Sequence, residues 1–195
     1  MGLSQREAKI RTVVKNRQAG FIVVLEDIHD PHNAAAILRT CDAFGVQDIY
    51  FIFDKEKRYN PKRIGKSSSS SANKWLSFKV FNSIQECLKV LKKSGYEIIA
   101  TALTPKSNNF FKTKLLHKKI ALLVGNEHQG LSESAIKLAD QVIAIPMQGM
   151  VQSLNVSVTA GIFIAEIIRQ RQKNIRHYHL NPKSANKLER DFRKR

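Results

Sequence analysis

The stretch IPMQGMVQSLNVSVTAGIF, from Ile145 to Phe163, begins like the end of a buried strand and finishes like a buried helix. Five polar residues separate its two apolar ends: Gln148, Gln152, Ser153, Asn155 and Ser157. Buried backbone and side-chain polar groups need partners, which come from the protein itself or from a ligand. The pattern therefore predicts either a helix cap or a binding site where these two elements meet.

The chain before this stretch alternates strands with helices, which is typical of a parallel α/β sheet. Short apolar runs predict strands at 21–25, 48–53, 77–81, 97–103, 120–125 and 141–146. Helices are predicted at 4–17, from Asn33 as N-cap to Gly45, from the Ser83–Glu86 capping box to Gly95, at 132–139, and from Val156 to about Lys173. In such sheets, ligands bind outside the carboxyl ends of the strands. Three segments after strands are therefore candidate sites: TALTPKSNN, GNEHQG and IPMQGMVQSLN.

The composition indicates a polyanionic partner. The 195 residues include 33 Lys and Arg against 16 Asp and Glu, a net charge of +17. Nucleic acid is the leading candidate and an anionic membrane surface the weaker one. No apolar run reaches the roughly 18 residues of a membrane span. Cys41 and Cys87 share no motif spacing, which favours reduced core thiols in a cytoplasmic protein.

Several standard sites are absent from the sequence. The first strand–helix junction has no GxGxxG, GKSSSSS lacks the glycine that a phosphate loop needs five residues before Gly65, and there is no GxSxG. The six histidines lack ligand spacing, so we expect no metal. A basic tail follows instead, with ten Lys and Arg from Arg169 to Arg195 against Glu189 and Asp191.

Single polar residues leave two interpretations open. Arg39 could form a surface ion pair with Asp42. Asn33 could simply cap its helix, Glu127 could be a loop carboxylate, and Ser153 and Asn155 could cap the last helix. Each residue could equally belong to an active site.

Taken together, three segments carry a resemblance. NAAAILRTCDAFGV, LLVGNEHQGLSE and IPMQGMVQSLNVSVTAG resemble, in this order and spacing, the three motifs of the SPOUT methyltransferases, in the branch of tRNA (guanosine-2′-O-)-methyltransferases called TrmH. The resemblance covers nearly the whole chain. SSSSSANKW resembles the Ser/Gly-rich loop of that family, although Asn73 replaces the usual His.

The resemblance implies a fold and a cofactor. The fold is α/β, a mostly parallel sheet with helices on both faces and a C-terminal deep trefoil knot, plus short basic helical extensions. The implied division is a basic extension (1–20), the methyltransferase domain (21–173) and a basic tail (174–195). The implied cofactor is S-adenosyl-L-methionine, held in the three post-strand loops by Thr101, Leu103, Gly125, Ile145, Met150, Ser153 and Leu154. Glycines at 125 and 149 would let the backbone approach closely, while Ile145, Met147 and Leu154 would wall the adenine.

The resemblance also implies a reaction, methyl transfer to a ribose 2′-oxygen of RNA, with DNA and membranes not expected as partners. Its catalytic residues would be Asn33, Arg39, Glu127, Ser153 and Asn155. RNA contacts are expected at Arg11, Lys66, Lys74, Arg169, Arg171 and Arg176. The family forms homodimers, and the face of the last helix with Val156, Ile162, Phe163 and Ile167 would serve the interface unless it is an ordinary core face. The basic extensions favour guanosine 18 of the tRNA D-loop. Ribosomal RNA, another tRNA position, or RNA binding without catalysis remain alternatives.

Overall fold

The computed structural model describes residues 4–64 and 72–195, which form an α/β fold around one sheet. The strands are β1 (Gln18–Glu26), β2 (Val46–Ile52), β3 (Ser77–Phe81), β4 (Glu97–Thr101), β5 (Asn108–Asn109), β6 (Ile120–Val124) and β7 (Gln141–Ala144). The helices are α1 (Gln5–Lys15), α2 (Pro31–Ala43), α3 (Ile84–Lys93), α4 (Glu133–Leu138), α5 (Val156–Arg171) and α6 (Pro182–Arg193). Three 3₁₀ turns complete the described structure, at Ala72–Lys74, Phe110–Lys112 and Gln172–Tyr178.

The sheet has the order β3-β2-β1-β6-β4-β7-β5, and every neighbouring pair is parallel. Side chains alternate between its two faces along each strand. Val23 and Leu25 pack under α2 and α5, and Ile22 and Val24 pack under α3 and α4. A central strand buried on both faces must be apolar throughout, which explains the continuous run in β1. The predicted parallel sheet with helices on both faces is confirmed, and the trefoil knot stays a prediction.

Helix α2 begins earlier than expected. Its N-cap is Asp30, whose carboxylate accepts the His32 backbone N–H at 2.8 Å, and Pro31 occupies the first turn. The prediction of Asn33 as N-cap is therefore wrong, and its side chain is available for other bonds. The predicted stop is confirmed at Gly45, which has φ +78°, a conformation that favours glycine.

The two terminal helices pack against each other. Phe192 of α6 is 1 % exposed and lies against Ile10 and Val14 of α1. Its ring also meets that of Trp75, with the centroids 5.2 Å apart. Arg193 joins the helices by ion pairs to Glu7 of α1 and, within α6, to Glu189. The basic C-terminal segment is thus a helix docked on α1, in agreement with the predicted helical extensions.

Two arginines are fully buried. Arg17 donates to the Asp42 carboxylate at 2.6 Å, so Asp42 pairs with Arg17 and the expected pair with Arg39 does not form. Arg171 donates to the backbone oxygens of Ala19, Gly20 and His117. Its guanidinium also lies 4.3 Å from the centre of the Tyr178 ring. Burial lowers the pKa of Arg171 to about 10, which leaves it charged at neutral pH.

The structure gives Arg171 a different role from the predicted RNA contact. It has no exposed surface, and its three carbonyl partners come from β1 and from the segment before β6. It therefore anchors the end of α5 to the sheet.

The expected interface face of α5 is mostly core. Phe163 is 1 % exposed and Ile167 has no exposed surface, while Val156 is also buried. Of the four residues, only Ile162 is partly exposed. A surface helix is buried along one face only, whereas α5 is covered both by the sheet and by α2. The ordinary-core interpretation therefore applies to this face.

Other predictions concern membranes, metals and cysteines. No helix among the described residues has the length and apolarity to cross a bilayer. Within 4–64 and 72–195, no three His, Cys, Asp or Glu side chains lie close enough together to hold a metal ion. Cys41 and Cys87 are free and buried, and burial raises the pKa of both thiols. They are therefore protonated core residues at neutral pH.

Replacing Arg171 tests its structural role. Arg171→Ala removes a buried side chain and leaves three carbonyls without a donor, so we expect a loss of about 2–4 kcal/mol in unfolding free energy. For a domain of this size that lowers Tm by roughly 5–15 °C, measurable by calorimetry. The matched control is Arg176→Ala on the exposed 3₁₀ turn, which should leave Tm unchanged. Equal Tm values for the two variants would contradict the assignment.

Candidate active site

A cavity of about 300 Å³ opens at the carboxyl edge of the sheet. It lies where β4, β6 and β7 end side by side, the position at which parallel sheets bind ligands. Its walls come from the ends of these strands, from the loop between β6 and α4, and from the start of α5. Residues from each are Thr101, Ala102, Leu103, Gly125, Asn126, Glu127, His128, Ile145, Met147, Ser153, Leu154 and Val156.

Six of the seven predicted cofactor residues line this cavity: Thr101, Leu103, Gly125, Ile145, Ser153 and Leu154. Met150 does not line it, and its side chain is fully exposed. The cavity combines apolar walls with backbone groups at strand ends, which suits a ligand that has both a flat apolar ring and polar substituents. These apolar walls and backbone groups therefore fit S-adenosyl-L-methionine.

Gly125 is where the backbone approaches most closely. A Cβ atom on this residue would lie 2.4 Å from the Gly130 carbonyl carbon and from the Leu131 nitrogen. The loop is closed by two backbone hydrogen bonds between Asn126 and Gly130, of 2.9 and 3.0 Å. At Gly149 the same Cβ would meet no protein atom within 4 Å, so the close approach expected there stays a prediction about the bound cofactor.

The segment between β7 and α5 is more open than the sequence indicates. Gln152, Ser153 and Asn155 are exposed, and no regular structure joins the strand to the helix. Asn155 does cap α5, because its side-chain oxygen accepts the Ser157 backbone N–H at 2.8 Å. The capping interpretation is correct for Asn155, and its side-chain NH₂ group remains available for another hydrogen bond.

Three predicted catalytic residues meet in one hydrogen-bonded cluster. Asn33 donates its side-chain amide to Glu127 Oε1 at 2.8 Å. The Asn155 amide donates to Asn33 Oδ1 at 3.1 Å. The cluster therefore joins the loop after β6, the first turn of α2 and the cap of α5. Ser153 lies nearby in the cavity wall, two residues before Asn155.

Glu127 is held as a carboxylate. Besides Asn33, the backbone N–H groups of His29 and Asp30 donate to it at 2.9 and 3.2 Å. Partial burial alone would raise the pKa of Glu127, but these hydrogen bonds outweigh it and lower the pKa. Glu127 is thus an ionised acceptor at neutral pH, suited to orienting donors in the site.

Arg39 remains outside the cluster. It lies six residues after Asn33 on α2, which places it about 240° further round the helix. Its side chain is exposed and makes no hydrogen bond or ion pair with the residues that the structure describes. Arg39 is thus a long, exposed cationic side chain that can contact an anion in the substrate.

Besides the buried Arg171, the predicted RNA contacts fall into three groups. Lys74, Arg169 and Arg176 are exposed, although Arg169 forms two hydrogen bonds with Glu166. Arg11 is half exposed and pairs with Glu189 of α6. Lys66 and the serine run 67–71 lie outside the described residues. Asn73, which replaces the usual His, is buried and donates to the Lys62 and Ile64 backbone oxygens, so it holds the chain before that run.

Sequence reasoning missed the support around the cluster. Asp27 has a positive φ of 49°, and its carboxylate accepts the backbone N–H groups of Asp54, Lys55 and Glu56. Glu56 in turn accepts from the Asn126 side chain. The only sequence signal was the position of EDIHDPH after the first strand, a site at which polar residues gather in such sheets.

Known proteins resemble this chain in sequence and in structure. Residues 20–165 match the SpoU rRNA Methylase family. A tRNA (guanosine(18)-2′-O)-methyltransferase of Thermus thermophilus is 40% identical over 171 residues, which cover 86% of this chain and 84% of that protein. The crystal structure of an A. aeolicus TrmH/SpoU tRNA modifying enzyme superposes with a TM-score of 0.87 and 34% identity, covering 96% of this chain and 94% of that one. A structure described as giving insights into the 2-OH methylation of C/U34 on tRNA has a TM-score of 0.65 and 25% identity, covering 79% and 97%.

The edge cavity and the carboxylate–amide cluster are those of an α/β enzyme that binds a small molecule beside a second substrate. The chain belongs to the SpoU methylase family, and it is an RNA 2′-O-ribose methyltransferase.

Replacing Gly125 tests the cavity. Gly125→Ala places a methyl group against the Gly130–Leu131 backbone, so we expect the loop to shift and S-adenosylmethionine binding to disappear in calorimetry. The control is Gly161→Ala in α5, where the added carbon meets only a methyl group of Thr40 at 3.9 Å. That change should preserve binding and stabilise the protein by about 0.5–1 kcal/mol. Retained binding in Gly125→Ala would show that the ligand lies elsewhere.

Proposed function

We propose that this enzyme methylates the ribose 2′-oxygen of guanosine 18 in tRNA with S-adenosylmethionine as donor. The observation that carries the proposal is the Asn33–Glu127–Asn155 cluster beside a cavity suited to that cofactor. The net charge of +17 supports an RNA substrate, and the relatives named above support the tRNA position. A tRNA substrate also agrees with a cytoplasmic location.

The reaction needs positioning more than it needs a strong catalyst. S-adenosylmethionine supplies a sulfonium methyl group that is already electrophilic, and the ribose hydroxyl is the poor partner. With the cofactor held by the cavity residues, methyl transfer to the 2′-oxygen would leave a neutral thioether, and the hydroxyl proton would pass to solvent water. The chain's contribution is to orient that hydroxyl, since a fixed near-attack geometry lowers the barrier by several kcal/mol. Ser153, Asn155 and Asn33 supply hydroxyl and amide groups at the cavity edge for this purpose.

Arg39 acts in this proposal as a clamp. A guanidinium is a poor base but a strong donor to phosphate oxygens. It is exposed and carries no internal partner among the described residues, so it is available for a phosphate of the target nucleotide. Asn33 and Asn155 orient the ribose, and Glu127 fixes Asn33.

A second copy of the chain completes the proposed enzyme. Large apolar side chains stand exposed on the segments that border the cavity: Leu103 at 73%, Met150 at 100%, Val151 at 61% and Val158 at 48%. Exposed apolar groups of this kind mark interaction surfaces. We propose a homodimer in which this surface, rather than the buried face of α5, is the interface. Sedimentation should give twice the 22.1 kDa of one chain.

Two alternatives use the same site. A different tRNA position or ribosomal RNA would keep the chemistry and change the target. RNA binding without catalysis would keep only the fold, and it predicts no S-adenosylmethionine binding in calorimetry. The intact cluster and the close approach at Gly125 favour the enzyme.

The first experiment maps the methylated position. The protein is incubated with radiolabelled S-adenosylmethionine and an unmodified tRNA transcript, in parallel with a tRNA that carries 2′-deoxyguanosine at position 18. We expect label in the first RNA and none in the second, because the second lacks the accepting hydroxyl. Label in both would move the target to another nucleotide, and label in neither would remove the proposal.

A pH–rate profile of Arg39→Lys tests the clamp. Lysine keeps the charge but loses the bidentate geometry, so we expect a rate well below that of the wild type and no new ionisation in the profile. Near-complete activity with a new ionisation near the lysine pKa would instead identify residue 39 as the proton acceptor. Arg190→Lys is the control, because Arg190 is exposed on α6, does not line the cavity and is not one of the predicted RNA contacts.

A further inference from the structure

A histidine stands at the rim of the catalytic cluster with no role in the mechanism above. His29 lies between β1 and α2, and its backbone N–H donates to Glu127 Oε2 at 2.9 Å. Its side chain is 59% exposed, and its ring centre lies 6.0 Å from that of His128, which lines the cavity. His29 therefore contacts the Glu127 carboxylate through its backbone, and its ring lies beside a residue of the cavity wall.

The His29 ring is held on one side only. Its Nδ1 lies 2.9 Å from Glu56 Oε2. No hydrogen bond joins Nε2 to any residue in the described part of the chain. A histidine whose Nδ1 donates to a carboxylate keeps its ring orientation fixed and offers Nε2 to a further partner. Here that second nitrogen is on an exposed side chain beside the active site.

The carboxylate that holds the ring is itself fixed. The Asp27 carboxylate accepts the backbone N–H of Glu56 at 3.2 Å, and Asp27 itself has an uncommon positive φ of 49°. The Asn126 amide donates to Glu56 Oε1 at 3.3 Å and to the Asp27 carbonyl at 2.8 Å. Each oxygen of Glu56 thus has its own partner, Asn126 on one side and His29 on the other. A chance surface ion pair would lack such support.

The local charge explains what the imidazole is for. The carboxylates facing His29 are Glu56, Glu127 and Asp30, and the ring of His128 stands on its other side. An RNA phosphate brought to this rim would meet net negative charge if His29 were neutral. The hydrogen bond to Glu56, together with the charge of that carboxylate, raises the pKa of His29. When protonated, the ring offsets this repulsion at the point where RNA approaches.

We propose that His29, as an imidazolium positioned by Glu56, binds a phosphate of the substrate RNA beside the methylated ribose. The inference rests on the proposed function, because it takes RNA as the substrate of this site. Nδ1–H donates to Glu56 and Nε2–H to a phosphate oxygen, a charge-assisted bond. Glu56 touches no substrate and acts through His29 as a positioning residue.

Proton linkage gives the proposal a sign. A phosphate bound to the imidazolium raises the pKa of His29 further, so RNA binding takes up protons. Affinity is highest below the pKa of the free protein. It falls as the pH rises through the interval between the free and bound values, and levels off above it. S-adenosylmethionine binding, which does not use this ring, should lack the same dependence.

The test measures RNA binding and proton uptake together. The dissociation constant of an unmodified tRNA transcript is measured from pH 6 to pH 9. Calorimetry in two buffers of different ionisation enthalpy is then done at the pH where the affinity of the wild type falls most steeply, because proton uptake is largest there. In His29→Gln the backbone N–H to Glu127 is kept and an uncharged donor replaces Nε2. We expect tRNA binding to weaken about tenfold at low pH, the value of one charge-assisted bond. We also expect proton uptake to disappear, KM for tRNA to rise, and kcat at saturating tRNA to change little.

Two further variants separate the roles. Glu56→Gln should keep tight binding at low pH but move the loss of affinity to lower pH, since the cause of the raised pKa is gone. His117→Gln is the matched control. His117 is also exposed with Nδ1 engaged, 2.8 Å from the Lys119 oxygen, but it precedes β6 at the opposite edge of the sheet. It should behave as the wild type.

The outcomes distinguish this inference from the proposed function. Wild-type affinity and proton uptake in His29→Gln, with tRNA still methylated, would overturn the His29 contact and leave the function intact. Loss of folding is checked by S-adenosylmethionine binding, which all three variants should retain. A wild-type protein that binds no tRNA at any pH would overturn both.

Discussion

The carboxylate of Glu127 is the point on which the active site depends. It follows β6 in the chain, yet its donors are the backbone of the loop after β1 and the side chain of Asn33 in α2. These segments are almost 100 residues apart in sequence, and they meet because β1 and β6 are parallel neighbours at the centre of the sheet. An ionised carboxylate with three donors locks both loops at once. The parallel strands thus place the two loops side by side, and the hydrogen bonds to one carboxylate fix their positions.

Charge is distributed in layers around that anion. Nearest to it are neutral amides, from Asn33 and Asn155, which can orient a hydroxyl without adding charge. Further out come the cations that face solvent, Arg39 and the more distant Arg176. Some basic residues serve the fold instead. Arg17 and Arg171 are buried, and Arg193 forms the ion pair that joins α6 to α1. The net charge of +17 therefore overstates how much positive charge is available at the surface to bind RNA.

The sequence predicted the sheet well because continuous apolar runs belong to strands covered on both faces. It missed β5, because Asn108 and Asn109 are exposed and polar and because two residues are too few to show a periodic apolar pattern. It placed the start of α2 too late, because Asn33 looked like a cap while Asp30 and Pro31 supplied a better one. The members of the catalytic cluster were predictable only through the resemblance. Their bonds were not, and nor was Glu56, which comes from a charged loop without periodicity.

Basic residues show why composition misleads at single positions. Arg171 stands in a basic run, so the sequence indicates solvent or RNA, but the chain turns there and carries the side chain inward against Tyr178. Likewise, the apolar residues of α5 suggested an interface, although helices on one face of a sheet bury such residues against the strands. Only the three-dimensional neighbours distinguish these cases.

The pairing of α1 with α6 also bears on how the protein is made. The two helices are separated by 166 residues, from Lys15 to Pro182. At a synthesis rate of about 5–20 residues per second, α1 waits on the order of ten to thirty seconds for its partner. During that time Ile10 and Val14 lack the Phe192 ring that later covers them. An isolated helix of 11 residues is marginal in water, so α1 gains stable packing only after α6 has been made.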